Sequence, residues 1–411
     1  MILAAASRTA EAMLRLRARL GGSAALRERL VLDAPPTPTR LWVHGASVGE
    51  LASAHEIVMA LAARMPVLVT ANTPTGRDLA RGWGLPARLA PLDLPGALAR
   101  FLDGARPAAQ LTLEGEFWPL RSRLLAKRGI PQAMIGARMS QRSARRWARL
   151  PGLIGPVLAR ITALSAQDAG SEARLLDLGL PRSVLLPRMD LKLLTPARTV
   201  PPAEFPARER TLLAASTHER EEAAILDAWQ QARQQVPDLR LILAIRHPQR
   251  GDEVAALLAR HGLPVARRSA GAEAAEPVLI VDVLGEMPRW YAAAGICFVG
   301  GSLADRGGHT PWEPAAHRCA VLHGPHVSNF TDAYAALDEA GAAETVAAGA
   351  LAGRLAALAD DPASARAMGD AARRVLDVRA GDPARLIARI AGLADPGARP
   401  DIENMPHEDQ R

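Results

Sequence analysis

Short apolar runs alternate with helical patterns along most of the chain, and this alternation restricts the possible folds more than any other feature. A strand buried on both faces reads as a short apolar run, whereas a surface helix repeats apolar residues at helical spacing. In the first half the runs lie at residues 40–45, 66–72, 108–115 and 131–138. Strands and helices that alternate in this way form βαβ units, so we expect an α/β fold with parallel sheets.

The alternation begins again after a proline-rich stretch at residues 186–206, the clearest linker signal in the chain. Further apolar runs follow at residues 210–216, 239–245, 276–282, 295–301 and 320–324. A chain of 411 residues also exceeds the size at which one hydrophobic core stops growing. We therefore predict two doubly wound, Rossmann-like domains that face each other across a cleft. Their predicted bounds are an N-terminal domain at 1–187, a linker at 188–206, a C-terminal domain at 207–395 and a flexible tail at 396–411.

The chain is basic, with 50 Lys and Arg residues against 43 Asp and Glu residues and a formal net charge of +7. A basic surface can bind nucleic acid, anionic lipid or a phosphorylated substrate. Arginines concentrate at residues 15–29 and 138–149, and neither stretch interleaves the aromatic residues on which nucleic-acid bases stack. We therefore expect no nucleic-acid partner, and an ordinary solvated face is the alternative interpretation of either stretch.

Residues 8–20 place Ala10, Met13, Leu14 and Leu20 at helical spacing, with arginines between them. Such a helix either lies on an anionic membrane or packs on its own domain, and both interpretations stay open. No apolar run reaches the roughly 18 residues that span a bilayer. The first residues also lack the basic start that is typical of a signal peptide.

Two cysteines, Cys297 and Cys319, stand in separate apolar segments. Their number and spacing provide neither a disulfide framework nor a CxxC metal site, so we expect buried free thiols in a reducing compartment. His and Asp residues show no clustering typical of metal ligands. We expect neither a metal nor a cofactor.

One predicted strand runs directly into a helix in the segment LWVHGASVGE, residues 41–50. Ser47 and Glu50 have the spacing of a capping box, in which both side chains satisfy free N–H groups at the helix start. A carboxylate at such a junction is also placed to act as a general base, because ligands of open α/β sheets bind at the carboxyl ends of the strands. Both interpretations of Glu50 stay open here. His44 is either a packed residue or a ligand contact.

Charged side chains follow the next predicted strands of the first domain. Glu114 and Glu116 come directly after one strand, and Arg138 and Arg142 come after the next. Acidic residues at strand ends are common on solvated rims, but a carboxylate that faces a ligand can offset positive charge in a transition state. The two arginines are suited to contact an acidic acceptor.

Polar residues also follow the strands of the second domain. Ser216 and Glu219 have capping-box spacing at a helix start, which can itself hold an anion. Arg246 and His247 end the next strand and are suited to a phosphate. A glycine-rich loop within residues 300–316 leads into a helix and is predicted to cradle a phosphate, with a glutamate of that helix accepting two ribose hydroxyls.

Eight segments together resemble the 3-deoxy-D-manno-octulosonic acid (Kdo) transferases, which are GT-B glycosyltransferases that use CMP-Kdo. Order and approximate spacing match across residues 40–335. The segments are HGASVGE, EGEFWP, ARMSQRS, ASTHEREE, RHPQR, LGEM, GGSLADRGGHTPWEPA and HGPHVSNF. The resemblance implies the GT-B form of the predicted fold, with an acceptor-binding N-terminal domain and a nucleotide-sugar-binding C-terminal domain.

The resemblance also implies roles for individual residues. Glu50 matches the catalytic base that takes the proton of the acceptor hydroxyl. One carboxylate of EGEFWP, Glu114 or Glu116, matches a group that stabilises the transition state together with Lys192. The implied nucleotide-binding residues are Ile245, Arg246, Gly285, Glu286, Met287, Thr310, Pro311, Trp312 and Glu313. Further substrate contacts in the matched segments are Ser47, Arg138, Ser216, His218, His247, Gly301, Ser302, His309 and Asn329.

The function implied by the resemblance is an inverting, metal-independent transfer of Kdo from CMP-Kdo to a lipid A precursor in lipopolysaccharide core biosynthesis. The expected location is the cytoplasmic face of the bacterial inner membrane, where the protein would bind an anionic membrane surface peripherally. Two alternatives stay open. One is a GT-B enzyme that uses another sugar nucleotide, and the other is a non-catalytic relative that binds lipid or nucleotide.

Overall fold

A computed structural model describes residues 2–203, 206–273 and 277–395 of the chain. The chain divides into two compact units, one made of the chain up to Leu194 together with the chain from Ala380, the other of Thr195–Arg379. Each unit is built on one parallel sheet, which confirms the predicted α/β class and the two doubly wound sheets. The predicted tail at 396–411 lies outside the described residues.

The first unit contains a parallel sheet. Its described strands are β1 (Leu41–Gly45), β2 (Val67–Ala71), β3 (Ala87–Leu89), β4 (Ala109–Leu113), β5 (Gln132–Ala137) and β6 (Ile161–Ala166). The order across the sheet is β3-β2-β1-β4-β5-β6. Strands β1, β2 and β4 are buried along their whole length, as parallel strands covered on both faces are.

Helices precede or connect these strands and cover the sheet. They are α1 (Ile2–Arg19), α2 (Ala24–Arg29), α3 (Val48–Ala62), α4 (Pro74–Gly82), α5 (Pro95–Ala105), α6 (Pro119–Lys127), α7 (Gln141–Trp147), α8 (Pro151–Leu158) and α9 (Ala169–Asp177). On one face Leu51 of α3 packs in a cluster with Val43 of β1. On the other face Phe101 of α5 packs on Trp42, with ring centroids 4.6 Å apart. Alternating residues of β1 therefore serve two separate cores.

The second unit contains a parallel sheet of its own. Its described strands are β7 (Thr211–Thr217), β8 (Arg240–Ile245), β9 (Ala266–Arg267), β10 (Val278–Val281), β11 (Ile296–Val299), β12 (Ala320–His323) and β13 (Ala343–Thr345). The order across the sheet is β13-β12-β11-β7-β8-β10-β9. Its helices, numbered on from the first unit, are α10 (Leu194–Ala197), α11 (Pro206–Glu209), α12 (Glu221–Ala232), α13 (Gly251–Arg260), α14 (Met287–Ala293), α15 (Trp312–Ala316), α16 (Thr331–Glu339), α17 (Ala348–Asp360) and α18 (Pro362–Ala380).

The unit boundaries differ from the predicted domain bounds. Helix α19 (Pro383–Ala394) belongs to the first unit, where Ile387 and Ile390 pack in the same cluster as Leu51. The predicted C-terminal domain at 207–395 is therefore wrong in its last part. The apolar spacing of a helix indicates that it packs on a core, but not on which core.

The predicted linker at 188–206 is likewise partly structured. Met189 and Leu191 are buried in the core of the first unit, and Leu191 begins a short 3-10 helix, Leu191–Leu193. The other described 3-10 helices are Arg182–Val184, Pro248–Arg250 and Arg268–Ala270. The proline-rich stretch therefore marks the place where the chain passes from the first unit to the second. Its first residues are nevertheless buried in the core of the first unit, which the composition did not predict.

Four short strands escaped the sequence prediction: β3, β6, β9 and β13. Three of them are two or three residues long, too short for a period to be recognised. The fourth, β6, mixes Thr and Ser with apolar residues, although most of it is buried. All four lie at or next to the edges of their sheets.

Helix α1 packs on its own unit through one side. Leu14 and Ala18 lie in a cluster with Ala97 of α5, while Met13 and Leu20 remain 68% and 79% exposed. Packing on the domain is therefore confirmed for that side of the helix. Within the described part of the chain, every helix falls short of the length or apolarity that crossing a bilayer requires.

Each sheet has a point at which the direction of strand addition reverses. In the first sheet this point lies between β1 and β4, and in the second it lies between β7 and β11. At such a point the connections leave toward opposite faces, which opens a crevice beyond the carboxyl ends of the two strands. Most of the predicted site residues follow these four strands.

Candidate active site

Glu50 lies where β1 runs into α3. Ser47 is the N-cap of α3, and its Oγ accepts a hydrogen bond from the Glu50 N–H at 3.3 Å. The Glu50 carboxylate accepts hydrogen bonds from Ser47 Oγ at 3.3 Å and from the Ala46 N–H at 2.7 Å. The predicted capping interaction is confirmed, although the carboxylate reaches one residue further back than in a capping box. The cap fixes the position of this half-buried carboxylate.

The Glu50 carboxyl holds its proton more tightly than an ordinary glutamate. Burial raises its pKa, and repulsion from Glu114 and Glu116 raises the pKa further. The hydrogen bonds that the carboxylate accepts act in the opposite direction without cancelling the rise. A raised pKa brings a carboxylate closer to the proton affinity that a general base needs near neutral pH. Cap and base are thus compatible roles for one side chain.

Glu116, just after β4, is held by side chains from several segments. Its carboxylate accepts hydrogen bonds from His44 Nε2 at 2.6 Å, Trp118 Nε1 at 2.9 Å and Asn72 Nδ2 at 2.8 Å. On the other side of the His44 ring, Nδ1 lies 3.0 Å from Thr70 Oγ1. His44 is 1% exposed, so it is a packed residue.

The hydrogen-bond chain assigns a neutral His44 ring with its proton on Nε2. The Glu116 carboxylate can only accept, which places the ring proton on Nε2. The Thr70 hydroxyl accepts from Trp42 Nε1 at 2.8 Å and has two acceptors for its own proton, His44 Nδ1 at 3.0 Å and the Val43 carbonyl at 3.4 Å. Burial lowers the pKa of His44 to about 4, with the Arg121 charge adding to the effect. Burial raises the pKa of Glu116, but the hydrogen bonds that it accepts and the Arg121 charge outweigh this effect and lower the pKa to about 2. Glu116 is an ionised carboxylate whose oxygens are already engaged.

Glu114 differs from Glu116 in its contacts. Its Oε1 lies 3.9 Å from Lys192 Nζ, and its backbone has a positive φ of 54°. Asp190 caps the short helix that carries Lys192, with Lys192 N–H donating to Asp190 Oδ1 at 3.1 Å. A non-glycine residue in the left-handed region is uncommon and is often found at functional sites. Of the two candidate carboxylates, only Glu114 lies beside Lys192 among the described residues.

Arg138 and Arg142 follow β5 at the same edge of the sheet, and both are exposed. The Arg138 N–H donates to the Glu114 carbonyl at 3.2 Å, and a Cβ on Gly115 would lie 2.7 Å from the Arg138 carbonyl oxygen. Gly115 therefore permits the two loops to approach this closely. Within the described ranges neither guanidinium forms an ion pair, so both remain available to an acidic ligand.

In the second unit, the loop Gly301–Ala304 after β11 is occupied by a carboxylate of the chain itself. Glu221 Oε2 accepts from the Gly301 N–H at 2.7 Å and the His218 N–H at 2.9 Å. Its Oε1 accepts from the N–H groups of Ser302 at 3.0 Å, Leu303 at 2.9 Å and Ala304 at 3.2 Å. The predicted phosphate cradle is therefore wrong for these residues, because their N–H groups are already bound.

Three histidines gather beside this loop. His218 Nε2 lies 2.8 Å from His309 Nε2 with the rings stacked, and the His247 ring lies 5.5 Å from the His218 ring, centroid to centroid. Burial lowers the pKa of both His218 and His309, and the charge of Arg246 adds to the effect. Arg246 and His247 are exposed. The cluster offers imidazole side chains and one guanidinium, which suits a phosphate group.

Ser216 is half-buried near a strand end, whereas the Ser302 side chain is buried and hydrogen-bonded. Ser216 sits at a bulge near the end of β7 with a positive φ of 57°, and the predicted capping box with Glu219 is wrong because α12 begins only at Glu221. Ser302 is fully buried, and its Oγ both donates to the Val299 carbonyl and accepts from the Gly324 N–H. The structure does not support a substrate contact by the Ser302 side chain.

The next predicted nucleotide-binding residues follow β8 and β10. Ile245 is 6% exposed and its side chain belongs to the core. Gly285 has a φ of 87°, a conformation that favours glycine, and Met287 begins α14. Glu286 accepts two hydrogen bonds from Arg268, at 2.8 and 3.0 Å. This bidentate pair fixes the turn after β10.

The residues around α15 divide into packed and exposed ones. Trp312 is 7% exposed and Pro311 is buried, and Thr310 Oγ1 accepts from the Trp312 N–H at 3.4 Å. Glu313 is exposed, and one of its oxygens accepts from Tyr291 Oη at 3.1 Å. A carboxylate held at one oxygen can still accept a ligand hydroxyl.

Asn329 holds the glycine-rich segment from outside. Its Nδ2 donates to the Arg306 carbonyl at 3.0 Å and to the Gly308 carbonyl at 3.3 Å. Tyr334 Oη donates to the His309 carbonyl at 2.8 Å. The structure thus assigns Asn329 a role in shaping the loop rather than in binding a substrate with its amide N–H groups.

Sequence reasoning missed several residues that shape these sites. Asn72 directly follows β2 and carried the same strand-end signal as Glu114. The roles of Glu221, Arg268 and Tyr291 had no signal, because each depends on a partner from another element. The described residues contain no group of three His, Cys, Asp or Glu side chains placed to hold a metal ion. Both cysteines are buried and unbridged, as predicted.

Comparison with known proteins shows that the chain is similar to one family of transferases. A family model described as 3-deoxy-D-manno-octulosonic-acid transferase matches residues 15–194. The chain is 38% identical over 380 residues to the 3-deoxy-D-manno-octulosonic acid transferase of Bordetella pertussis, covering 86% of this chain and 87% of the relative. It is 33% identical over 323 residues to the enzyme of the same name from Haemophilus influenzae, covering 74% of this chain and 75% of the relative.

Among solved structures, the chain is similar in fold to a putative UDP-N-acetylglucosamine 2-epimerase from Listeria monocytogenes. The TM-score is 0.56 at 14% sequence identity, over 88% of this chain and 98% of the epimerase. Similarity at this level of identity concerns the fold alone. It agrees with two successive parallel α/β units.

Proposed function

This chain belongs to the Kdo transferase family of GT-B glycosyltransferases, and on that premise we propose that it transfers Kdo from CMP-Kdo to a lipid A precursor with inversion. The observation that carries the proposal is the position of Glu50 at the carboxyl end of β1, held by a helix cap and with a raised pKa. An acceptor hydroxyl needs a proton acceptor as it attacks the sugar, and Glu50 supplies one.

The acceptor side of the reaction uses the first unit. The acceptor oxygen forms a bond to the anomeric carbon of the sugar, its proton passes to the Glu50 carboxylate, and CMP departs with the electrons of the broken bond. Glu114 offsets the positive charge that develops on the sugar ring, and Lys192, 3.9 Å from it, keeps that carboxylate oriented. Arg138 and Arg142 contact acidic groups of the acceptor.

The donor side uses the second unit. A departing CMP carries growing negative charge on its phosphate, which needs cations and hydrogen-bond donors. Arg246, with His218, His247 and His309, supplies these groups, while Glu313 accepts from a ribose hydroxyl.

The proposal also locates the protein on the cytoplasmic face of the bacterial inner membrane. A lipid A precursor is anchored in a bilayer, so its transferase must work at the membrane surface. The exposed apolar residues Met13 and Leu16 of α1, together with Leu20 directly after the helix, alternate with arginines. An exposed helix side of this composition favours binding to anionic lipid.

Incubation of the purified chain with CMP-Kdo and a lipid A precursor tests the proposal directly. We expect the acceptor mass to increase by one or more Kdo units, with release of an equal amount of CMP. Heat-treated protein is the control. Absence of transfer under conditions in which CMP-Kdo binds would leave the non-catalytic binding relative as the better interpretation.

Because the chain is similar in fold to a UDP-sugar epimerase, the identity of the donor nucleotide needs a test of its own. We expect saturating CMP to raise the unfolding temperature of the chain, because a ligand at 100 times its Kd stabilises the native state by about 2.7 kcal/mol. UDP at the same concentration should produce little change. Equal protection by UDP would overturn the CMP assignment and favour a different sugar nucleotide.

A further inference from the structure

Loop Gly301–Ala304 presents consecutive backbone N–H groups toward one point, an arrangement by which many proteins hold an anion. Here the point is filled from within by the Glu221 carboxylate, which is 1% exposed. Together with the His218 N–H, all the donors of the loop reach this one carboxylate. Hydrogen bonds to an ionised acceptor are stronger than neutral ones, so the carboxylate gives the loop the order that a bound anion would give it.

Glu221 also connects two donor-side loops across the reversal point of the second sheet. It holds the His218 backbone after β7 and the Gly301 backbone after β11. From Gly301 the order extends to His309, because the Gly308 N–H donates to the Gly301 carbonyl at 2.7 Å. A Cβ on Gly301 would lie 3.2 Å from the His309 ring, so loop and imidazole are closely packed. The 2.8 Å contact between His218 and His309 therefore depends on two loops that share one carboxylate.

We infer that Glu221 is a positioning residue for donor binding, whose buried carboxylate replaces an external anion in loop Gly301–Ala304 and sets the distance between His218 and His309. The inference rests on the proposed donor site. Glu221 itself contacts no substrate in this scheme, because its oxygens accept the five backbone bonds. The donor phosphate is then bound beside the loop, by the histidines and Arg246, and not within the loop.

A neighbouring glutamate provides a matched control. Glu222 is as deeply buried at the start of the same helix, but its carboxylate pairs with Arg250 at 2.7 Å and holds neither the His218 backbone nor loop Gly301–Ala304. A variant of either residue removes a buried carboxylate from the start of α12. Only variants of Glu221 also remove the acceptor from loop Gly301–Ala304.

The test compares CMP binding by E221Q, E221A and E222Q, measured by calorimetry on the full chain. We expect the Kd for CMP to increase about tenfold or more in both Glu221 variants, the effect of losing one charged hydrogen-bond anchor, and by less than about threefold in E222Q. Glu221 is one of the residues that line a cleft of about 650 Å³, and E221A leaves a space of carboxylate size beside that cleft. Formate at about 0.1 M should therefore recover most of the CMP affinity of E221A by mass action, with no gain for E222Q.

Hydrogen exchange tests the role of Glu221 independently of donor binding. In the wild-type chain the amides of Gly301–Ala304 should exchange slowly, and in E221Q they should exchange at least about tenfold faster while β8 is unchanged. Wild-type CMP affinity in folded E221A, or fast exchange of these amides in the wild type, overturns the inference. If neither Glu221 variant folds, the exchange rate of these amides in the wild type still tests the inference. A wild type that binds no CMP but protects these amides would refute the proposed donor and retain the anion-like role of Glu221.

Discussion

Replacement of Glu50 by glutamine is expected to lower the kcat of sugar transfer by a factor of about 10² to 10⁴, the usual contribution of a general base. The amide keeps the shape of the side chain and can still accept from the Ala46 N–H. It cannot take a proton from the acceptor hydroxyl. Because CMP is proposed to bind the second unit, its Kd should stay within about twofold of the wild type.

The pH dependence of the wild type gives a second measure of the same group. The base works only when ionised, so kcat/KM should fall as the pH is lowered through the Glu50 pKa. Burial raises that pKa, so the fall should be centred above about 4.3, the ordinary value for glutamate. The residual activity of E50Q should lack this dependence.

Glu56, on the same helix, provides the control for lost charge. E56Q removes one carboxylate from α3 without touching the cap, and we expect it to keep near wild-type transfer. Transfer by E50Q at a rate similar to that of E56Q would show that Glu50 caps the helix and is not the base. In that case the wild-type pH profile should also lack a dependence assigned to Glu50.

Replacement of Glu116 by glutamine is expected to destabilise the first unit by about 3 kcal/mol at neutral pH, because a largely buried network loses its negative charge and one of its two acceptor oxygens. The Glu116 carboxylate is the common acceptor of His44, Asn72 and Trp118. A glutamine side chain has one acceptor oxygen, so its NH₂ group must face at least one of these donors. The buried guanidinium of Arg121 also loses a neighbouring negative charge.

Hydrogen exchange of β1 and β4 measures this loss locally, with β8 of the second unit as the internal reference. Local exchange is preferable because a chain of two units need not unfold in one step. D103N is the matched control, since it removes the exposed ion pair of Asp103 with Arg128 in the same unit. An exposed pair contributes about 1 kcal/mol or less. Equal effects of E116Q and D103N would contradict the buried network.

The pH dependence of this stability follows from the signs of the two pKa shifts. The pKa of Glu116 is lowered to about 2 in the folded state, so its contribution is complete above the unfolded value near 4.3 and is lost as the pH falls toward 2. The pKa of His44 is lowered to about 4 in the folded state. Keeping the buried ring neutral therefore lowers the free energy of unfolding once the pH is below about 6.5, the pKa of an unfolded histidine. Wild-type stability should fall from pH 6.5 downward, and the difference from E116Q should shrink between pH 5 and 3.

Local pattern determined much of the fold and the approximate position of the sites. The apolar period predicted the two parallel sheets, and the strand-end rule placed Glu50, Glu114 and Arg246 at the carboxyl edges where the structure has them. The cap between Ser47 and Glu50 was also predictable, because the two residues are three positions apart. Interactions within one turn of helix depend on spacing that a sequence displays directly.

The tertiary structure alone decided which polar groups are free to react. Glu114 and Glu116 are equivalent in sequence, but His44, 72 positions away, engages Glu116 and leaves Glu114 to Lys192. In the same way Glu221, 80 positions from Gly301, fills the loop that composition assigned to a phosphate. A buried polar group must find a partner, and the fold brings that partner from a distant segment whose identity no local period reveals.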